Sequence, residues 1–251
     1  MARSSAMLQI IFLGSSSRGN CAVLKTQDGI FLIDAGLSGK KIKEKLDDLG
    51  IDVHQLAGVF ITHEHQDHTI GLKTLCRIPE FRCYANSETA KAVEKRYSIK
   101  AQWHCFTTGQ VFPVKSLHIQ TFPVEHDAVR PVGFLFKTEK QTLAWATDLG
   151  HITDTVASCL LQANRLVLES NHDEELLWSS QRPLYLKERI AQNHLSNQEV
   201  YPFIEAHIHQ WSTVHLIHLS EECNSITRLR SLFAMLNRPI ERIFFPGDMA
   251  R

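Results

Sequence analysis

The sequence predicts an α/β fold in which two mixed β-sheets pack face to face with helices outside, an αββα sandwich. Apolar runs of strand length recur in both halves of the 251-residue chain, and segments of helical periodicity lie between and after them. No low-complexity stretch or long linker interrupts them. Sheets and helices that each bury one apolar face stack in such layers. We therefore expect one domain over residues 1–251, long enough for a substantial core.

The strands are predicted from short apolar runs rich in β-branched residues. In chain order they lie near residues 7–13, 22–25, 30–34, 58–62, 82–85, 117–122, 132–137, 142–147, 165–170, 213–219 and 242–245. The first run is too short to span a membrane and lacks a signal-peptide cleavage pattern. Helical patterns lie near residues 38–49, 87–96, 155–163, 184–192, 197–207 and 222–237.

Composition limits the classes of partner and compartment. The chain has 27 basic and 27 acidic residues, so it lacks the overall positive charge of many nucleic-acid binders. Any contact with nucleic acid must be local. Its six cysteines form no CxxC pair and no regular framework, which favours free thiols in a reducing compartment. We expect a cytoplasmic protein with no membrane partner, and the composition does not predict an oligomeric state.

The segment 62–68, THEHQDH, follows a predicted buried strand and carries four metal-ligand side chains: His63, His65, Asp67 and His68. Burying each of these polar side chains without a partner would cost roughly several kcal/mol, so the segment is not part of an apolar core. Imidazole and carboxylate bind Zn²⁺, Mn²⁺ and Fe²⁺. A turn here can direct the first two histidines to one ion and the other two residues to a neighbouring ion.

This segment has two alternatives to a dinuclear site. One is a solvated loop that is rich in histidine by chance. The other is the HExxH helix of zinc proteases, because His63 and Glu64 begin like that motif. The second fails because position 67 is Asp and no helical pattern surrounds it.

Three later residues, His126, Asp148 and His218, also follow apolar runs that are predicted strands. Taken singly, either histidine is more typical of a surface or a hydrogen-bonded core. Two ions about 3.5–4 Å apart can share a water, lower its pKa and clamp the oxygens of an in-line displacement. A carboxylate suits a bridging position because each of its oxygens can face one ion. Together with the upstream motif, these residues predict such a site.

HxHxDH after a hydrophobic strand resembles the metallo-β-lactamase-fold hydrolases, and further motifs match along most of the chain. Asp34 resembles the first motif of that family, a strand-end carboxylate that braces the metal loop. His126, Asp148 and His218 resemble the third, fourth and fifth motifs. The resemblance implies two divalent ions, Zn²⁺, Mn²⁺ or Fe²⁺. One would be bound by His63, His65 and His126, the other by Asp67, His68 and His218, with Asp148 bridging both.

Single residues separate the chain from other members of this superfamily. The β-lactamases proper carry Arg in place of His68 and Cys in place of Asp148, and the di-iron oxidoreductases carry Glu in place of His65. The 70 residues from Asp148 to His218 are too few for the inserted domain of RNase J and CPSF-like nucleases. The fold alone does not select a reaction.

The segment from Asn193 to Asn197 resembles the HxS/T segment of the phosphodiesterase branch, which includes tRNase Z and the carbon–phosphorus-lyase cyclic phosphodiesterase. In that branch a histidine that binds no metal faces the scissile phosphate, and His194 takes its place here. Glu169 resembles the carboxylate that orients it, so we count Asp67, His194 and Glu169 as catalytic residues. Such an imidazole can stabilise the transition state or protonate the leaving oxygen. Alternatively, His194 only caps the helix beginning near Ser196.

Five segments together resemble the YycJ/WalJ group of bacterial proteins. That resemblance implies a cytoplasmic metal-dependent phosphodiesterase, specifically a 5′-to-3′ exonuclease acting on DNA. One departure is Arg18, which stands where a small residue is expected. The matching segments are LGSSSRGN (13–20), DAGLSGKK (34–41), THEHQDH (62–68), ESNHD (169–173) and HLSN (194–197).

Two groups of basic residues are candidates for binding a substrate backbone. Lys40 and Lys41 open a predicted helix whose N-terminal amides favour anions, although a solvated helix face is an equally good interpretation. Arg182, Lys187 and Arg189 lie between Glu169 and His194 in the chain and could reach a substrate backbone.

Three functions remain open from the sequence. The first is a dinuclear phosphodiesterase that cleaves nucleic-acid ends or a small phosphodiester. The second is a hydrolase of carboxylic or thiol esters, similar to glyoxalase II or a lactonase. The third is a non-catalytic protein stabilised by its metals. His194 and Glu169 discriminate between the first two functions, because both share the metal motifs.

Overall fold

The computed structural model describes residues 8–236 and 242–246, and its first sheet comes from the N-terminal half of the chain. The strand order in this sheet is the chain order. The first three strands pair antiparallel, and the third to sixth pair parallel. They are β1 (Gln9–Gly14), β2 (Cys21–Lys25), β3 (Ile30–Ile33), β4 (Leu56–Phe60), β5 (Arg82–Asn86) and β6 (Gln102–Phe106).

The second sheet contains the remaining strands in reverse chain order. Counted in chain order, its first four strands pair antiparallel with their neighbours, and its last four pair parallel. They are β7 (Val111–Val114), β8 (Leu117–Pro123), β9 (Val132–Lys137), β10 (Thr142–Ala146), β11 (Arg165–Glu169), β12 (Thr213–Ile217) and β13 (Ile243–Phe244).

The helices lie between these strands, and side-chain caps mark where most of the longer ones begin. Ser38, Asn86 and Ser196, for example, each accept a backbone N–H of the first turn that has no partner within its helix. None of the helices in the described ranges is long and apolar enough to cross a bilayer. They are α1 (Gly39–Asp48), α2 (Gln66–Thr69), α3 (Leu72–Leu75), α4 (Ser87–Tyr97), α5 (Asp154–Leu160), α6 (Glu174–Ser179), α7 (Leu184–Asn193), α8 (Asn197–His207) and α9 (Ile226–Phe233).

Three apolar clusters correspond to the layers of the sandwich. The central cluster joins the inner faces of both sheets and includes Phe60 and Phe134, whose rings lie 5.9 Å apart. A second cluster packs α1, α3 and α4 on the outer face of the first sheet. A third packs α5, α8 and α9 on the second sheet. The predicted αββα sandwich is therefore confirmed.

Two strands and three short helices are absent from the sequence prediction. β6 has mostly exposed or half-buried residues at the edge of its sheet, and β7 contains Pro113, so neither shows a continuous apolar run. Helices α2, α3 and α6 have four to six residues, too few to reveal a helical period. The last predicted helix begins later than expected, after the cap residue Ser225. Two predicted end positions, 7 and 237, lie outside the described residues.

The ends of strands from both sheets position the candidate site. The site lies where the chain leaves the carboxyl ends of six strands, two in the first sheet and four in the second. These strands are β3, β4, β8, β10, β11 and β12. Asp34, Asp148 and His218 follow three of these strands with φ angles of 56°, 56° and 58°. That left-handed conformation is uncommon outside glycine and is concentrated at functional sites.

Candidate active site

The histidine-rich segment leaves β4 and enters a helix of one turn. His63 follows the strand, His65 is the N-cap of α2, and Asp67 and His68 lie within α2. The sequence predicts a turn without helix here, and this detail was wrong because four residues show no helical period. The helix is fixed from outside by backbone bonds: Asn20 N donates to Asp67 O at 2.7 Å and Ala35 N to His68 O at 2.7 Å.

Gly36 allows this close approach of two backbone segments. A Cβ built at Gly36 would lie 1.5 Å from the carbonyl oxygen of Asp67. No side chain fits such a space without moving α2. The glycine after Asp34 and Ala35 is therefore part of the structure that holds the metal motif.

Asp34 is buried and connects the motif to the end of β3. Its carboxylate accepts hydrogen bonds from the backbone N–H of Thr62 at 2.9 Å and from the Nδ1 of His68 at 2.8 Å. The Thr62 hydroxyl donates to it as well, at 2.9 Å. Asp34 thus lies where a bracing residue is expected, behind the imidazole of a predicted ligand.

The predicted ligands form two groups that share one carboxylate. His63, His65 and His126 make up one, and Asp67, His68 and His218 the other; within each, one ligand atom per residue lies within 4.8 Å of the others. Asp148 lies between them. Its Oδ1 is 3.8 Å from His126 Nε2 and 3.6 Å from His218 Nε2, and its Oδ2 is 3.2 Å from His68 Nε2.

Four of the imidazoles use Nδ1 for contacts with the surrounding protein. His63 Nδ1 bonds to the hydroxyl of Thr62 and His68 Nδ1 to Asp34. His126 Nδ1 donates to the carbonyl of Asn193 at 3.0 Å, and His218 Nδ1 donates to Glu169. Outer contacts of this kind fix the ring and leave Nε2 for a metal.

Three inner atoms of the cluster lack hydrogen-bond partners among the described residues. His63 Nε2, Asp148 Oδ2 and His218 Nε2 are buried, and none makes a hydrogen bond of good geometry among the described residues. Buried polar atoms are rarely left unsatisfied, and a bound ion can satisfy such atoms. Three converging orphan atoms on imidazole and carboxylate groups fit a divalent metal.

The charges of the site favour cations. Although burial alone would lower it, Asp148, Asp67 and Glu169 raise the pKa of His218 to about 10. Burial also lowers the pKa of His68. The surrounding carboxylates of Asp148, Asp34 and Asp67 outweigh this effect and hold the pKa well above its usual value. The field that holds these protons also attracts a divalent ion, which releases them when it binds.

His194 lies beside the cluster, at the end of α7. Its Nδ1 is 3.0 Å from Glu169 Oε2 and 3.8 Å from Asp148 Oδ1. Glu169 is buried and also bonds to the backbone N–H of Leu195 and to His218. Burial lowers the pKa of His194, but the Glu169 carboxylate outweighs this and the net shift is upward. Ser196, not His194, caps α8 with its side chain.

A cleft of about 230 Å³ opens over these groups. Its wall includes Arg182 and Arg189, which pair with Glu222 at 2.9 Å and Asp127 at 2.6 Å respectively. The predicted Lys187 instead donates to the carbonyl of Trp178. Lys40 and Lys41 are exposed on α1 and are not among the cleft-lining residues.

Several residues around the site have no role predicted from the sequence. Ser15 accepts the backbone N–H of His218 at 2.8 Å, and the Asn20 amide lies 3.0 Å from His68 Nε2. Both belong to the LGSSSRGN segment, which carried the resemblance without a role for each residue. Glu64 accepts the N–H of Val129 at 2.9 Å and so anchors the loop after His126. Arg18, the departure in that segment, pairs with Glu221 at 2.6 Å.

Comparison with known proteins identifies the family to which the sequence is similar. The sequence profile described as "Beta-lactamase superfamily domain" matches residues 30–207. The chain is 36% identical to "Exodeoxyribonuclease WalJ" of Streptococcus pneumoniae over 219 residues, which cover 84% of this chain and 81% of the relative. It is 32% identical to "Exodeoxyribonuclease YycJ" of Bacillus anthracis, covering 86% and 84%.

Among solved structures, the fold is similar to the metallo-β-lactamase fold protein YhfI from Bacillus subtilis. The TM-score is 0.72 at 15% identity, over 95% of each chain. At that identity the similarity concerns the fold alone.

Proposed function

The chain belongs to the β-lactamase superfamily and is a metal-dependent hydrolase of the nuclease type, and from this premise we propose that it removes nucleotides from the 5′ ends of DNA. The observation that carries the proposal is the position of His194. This imidazole is held by Glu169 beside Asp148 and belongs to neither of the two predicted ligand groups. It also forms a further possible ligand set with Asp148, Glu169 and His218, in which its Nδ1 is directed to Glu169. The six free cysteines also support a reducing, cytoplasmic compartment.

The proposed cofactors are two divalent ions, Zn²⁺, Mn²⁺ or Fe²⁺. When bound, such a pair lowers the pKa of a water and stabilises the oxygens of an in-line displacement. The chain's own contribution is to hold the ligands rigidly. His63, His65 and His126 would bind one ion and Asp67, His68 and His218 the other, with Asp148 between them. The buried Asp34 and Glu169 keep the rings of His68 and His218 in place.

In this mechanism His194 supplies the proton for the leaving oxygen. Nδ1 is directed to Glu169, which leaves Nε2 for the substrate. The upward shift of its pKa favours the protonated ring, the form that a general acid requires. Although burial opposes it, His194 and His218 lower the pKa of Glu169 to about 2, so the carboxylate that orients the ring stays ionised.

The substrate backbone would be bound by the two arginines of the cleft. Arg182 precedes α7 and Arg189 lies within it, and both line the cleft. Each is paired with a carboxylate at its rim, and a phosphate can replace that partner because guanidinium binds both in the same bidentate way. A neutral protein then binds only a few phosphates near the cleaved end.

The test is a substrate panel with Mn²⁺ or Zn²⁺. It covers 5′-labelled single- and double-stranded DNA and RNA, bis-p-nitrophenyl phosphate and S-lactoylglutathione. We expect stepwise shortening of DNA from the 5′ end. His194→Ala should lower kcat on phosphodiesters by about 10²–10⁴-fold, the usual contribution of a positioned acid or base, with metal content unchanged.

His118→Ala is the matched control, because this exposed histidine lies on β8 and is not part of the site. It should behave as the parent. Hydrolysis of S-lactoylglutathione in place of every phosphodiester would assign the chain to the ester hydrolases. A His194→Ala variant with the parental rate on DNA would remove the main support for the mechanism.

A further inference from the structure

A second cavity adjoins the cleft, and His194 lines both. It has a volume of about 280 Å³ and lies between α6, α7 and the start of α8. Helix α7 separates the two spaces: Arg189 and Ile190 line the cleft, while Ala191 lines the second cavity. His194 is therefore part of the wall of both spaces.

The two spaces differ in their charged residues. The cleft has Arg182 and Arg189 in its wall together with Asp67 and Asp148. The second cavity has Glu174 and Glu199 and no Arg or Lys among its described lining residues. The start of α8 offers no anion site there, because Ser196 accepts the N–H of Glu199 and donates to Glu174 at 2.9 Å. Carboxylates repel phosphates, so the cavity suits a neutral group that donates hydrogen bonds.

Two lining residues provide the contacts that a nucleoside requires. Trp178 is 47% exposed and gives the cavity an aromatic surface on which a base can stack. His172 is only 2% exposed, and its Nδ1 has no hydrogen-bond partner in the part of the chain that the structure describes. Burial lowers the pKa of His172 to about 4, so the neutral ring can bond to a hydroxyl or a base edge.

We propose that this cavity binds the base and sugar of the 5′-terminal nucleotide of the DNA, the leaving group of the hydrolysis. The 5′-phosphate that each new end carries after a cut lies outside the acidic cavity. The inference rests on the proposed function and specifies which part of the substrate lies on each side of His194. The volume is below the range of about 300–1,000 Å³ that is typical for drug-sized ligands, so it accommodates one nucleoside and not a longer strand. Cleavage after a single terminal nucleotide follows from this limit.

The bond changes are those of simple phosphodiester hydrolysis. The oxygen of the attacking water forms a bond to phosphorus, and the bond from phosphorus to the 3′-oxygen of the terminal nucleoside breaks. That 3′-oxygen keeps the electron pair and takes the proton from Nε2 of His194. The proton that the water loses passes to solvent, from which His194 is protonated again.

The experiment compares two substrates and three variants. The substrates are a single-stranded oligonucleotide with a normal 5′-terminal base and the same strand with an abasic 5′-terminal residue. Stacking on an aromatic side chain corresponds to about 5–100-fold in affinity. We expect the kcat/KM of the parent to be lower by that factor for the abasic strand than for the normal strand. In Trp178→Ala the kcat/KM for the normal strand should fall by the same factor, so that this variant cleaves both strands equally well. Trp178→Phe, which keeps an aromatic face, should recover most of the discrimination.

Tyr185→Ala is the control, because this aromatic residue on α7 is 71% exposed and lines neither cavity. It should discriminate as the parent does. A measurement independent of turnover is the binding of 2′-deoxyadenosine to the protein by NMR titration. Binding should be weakened in Trp178→Ala and unchanged in Tyr185→Ala, with circular dichroism confirming that both variants are folded.

The outcomes separate this inference from the proposed function. A protein that shortens DNA but cleaves normal and abasic ends equally well overturns the nucleoside cavity alone, as does a Trp178→Ala variant with parental discrimination. The comparison of normal and abasic ends with the parent protein is by itself sufficient to overturn the inference. It does not depend on whether Trp178→Ala folds. A protein that cleaves no phosphodiester overturns the proposed function and this inference with it.

Discussion

His218 donates a hydrogen bond from its Nδ1 to the buried carboxylate of Glu169. The same carboxylate oxygen accepts from Nδ1 of His194 at 3.0 Å. One residue therefore positions both a predicted metal ligand and the predicted proton donor. The sequence predicts only the second of these contacts, because the resemblance links Glu169 to His194 alone.

Glu169→Gln should affect metal binding and turnover together. The amide keeps only one acceptor oxygen, so its nitrogen would face either the two imidazole N–H groups or the backbone N–H of Leu195. In both orientations a donor loses its acceptor and the negative charge is lost, so the ring of His218 is held less firmly. We expect metal content to fall and kcat on bis-p-nitrophenyl phosphate to decrease by at least about 10²-fold. Elemental analysis distinguishes this variant from His194→Ala, which should keep its metal. Full metal occupancy in Glu169→Gln would show that the contact with His218 is dispensable.

Asp148→Ala should remove the connection between the two ligand groups. Its two oxygens lie 3.2–3.8 Å from imidazole nitrogens of both groups. We expect the parent to bind up to two equivalents of metal, and the variant to lose metal and activity at the same dialysis conditions. Chelation of the parent should give the same loss, reversible on adding Mn²⁺ or Zn²⁺. Two tightly bound equivalents in Asp148→Ala would contradict a shared carboxylate.

Replacing both Arg182 and Arg189 by Ala should weaken DNA binding in a salt-dependent way. Each phosphate contact contributes roughly 0.7 to the slope of log affinity against log salt on single strands. In anisotropy titrations of single-stranded DNA, we expect the magnitude of this slope to decrease by about 0.7–1.4, which corresponds to the loss of one or two phosphate contacts. The comparison is Lys40→Ala with Lys41→Ala, the predicted binders outside the cleft. A slope that responds to the lysines and not to the arginines would place the DNA along α1.

His215→Phe should reduce the loss of stability on acidification. Burial, followed by repulsion from Arg165, lowers the pKa of His215 to about 4, and neither ring nitrogen has a partner among the described residues. The unfolded chain thus binds more protons between about pH 6.5 and pH 4, so this residue destabilises the fold as the pH falls. From pH 7 to pH 5 the effect is on the order of 1–2 kcal/mol.

The phenyl ring can keep the stacking of His215 against Phe244, whose ring centroid lies 4.9 Å away. Denaturant unfolding at pH 7 should therefore give the variant at least the parental stability. Its advantage should grow towards pH 5. Parallel stability profiles for parent and variant over this interval would exclude a depressed pKa.

Gly36→Ala should disrupt the metal motif by steric conflict. The new methyl group would overlap the carbonyl of Asp67, so α2 must move or the loop must unfold. We expect a loss of at least about 3 kcal/mol of unfolding free energy, together with loss of metal. Gly50→Ala separates this from backbone strain: Gly50 has φ +67° with open space around it, so alanine there should cost only about 1–2 kcal/mol.

The sequence predicts those parts of the site whose residues are close along the chain or end an apolar run. The four candidate ligands of residues 63–68 lie within six positions, and Asp148 and His218 each follow a recognisable strand. The contacts that orient these residues join distant segments, such as His126 with the carbonyl of Asn193 or His218 with Glu169. No local pattern carries that information.

The same limit applies to the fold and the charged residues. The edge strand β6 and the proline-containing β7 lack the periodicity that reveals a strand, so tertiary pairing determines them. The sequence marks Arg189 as a basic residue that could reach a substrate backbone, but it does not show that Arg189 pairs with Asp127. Only the packing of α7 over the cleft brings these two residues together.

The division of the ligands between the two sheets has a consequence for biosynthesis. The segment 63–68 leaves the ribosome early, whereas His218, Glu169 and His194 all follow much later. An unfinished chain that ends before His194 therefore lacks the predicted proton donor and the last member of the second ligand group, His218. We expect hydrolytic activity only after nearly the whole polypeptide has been made.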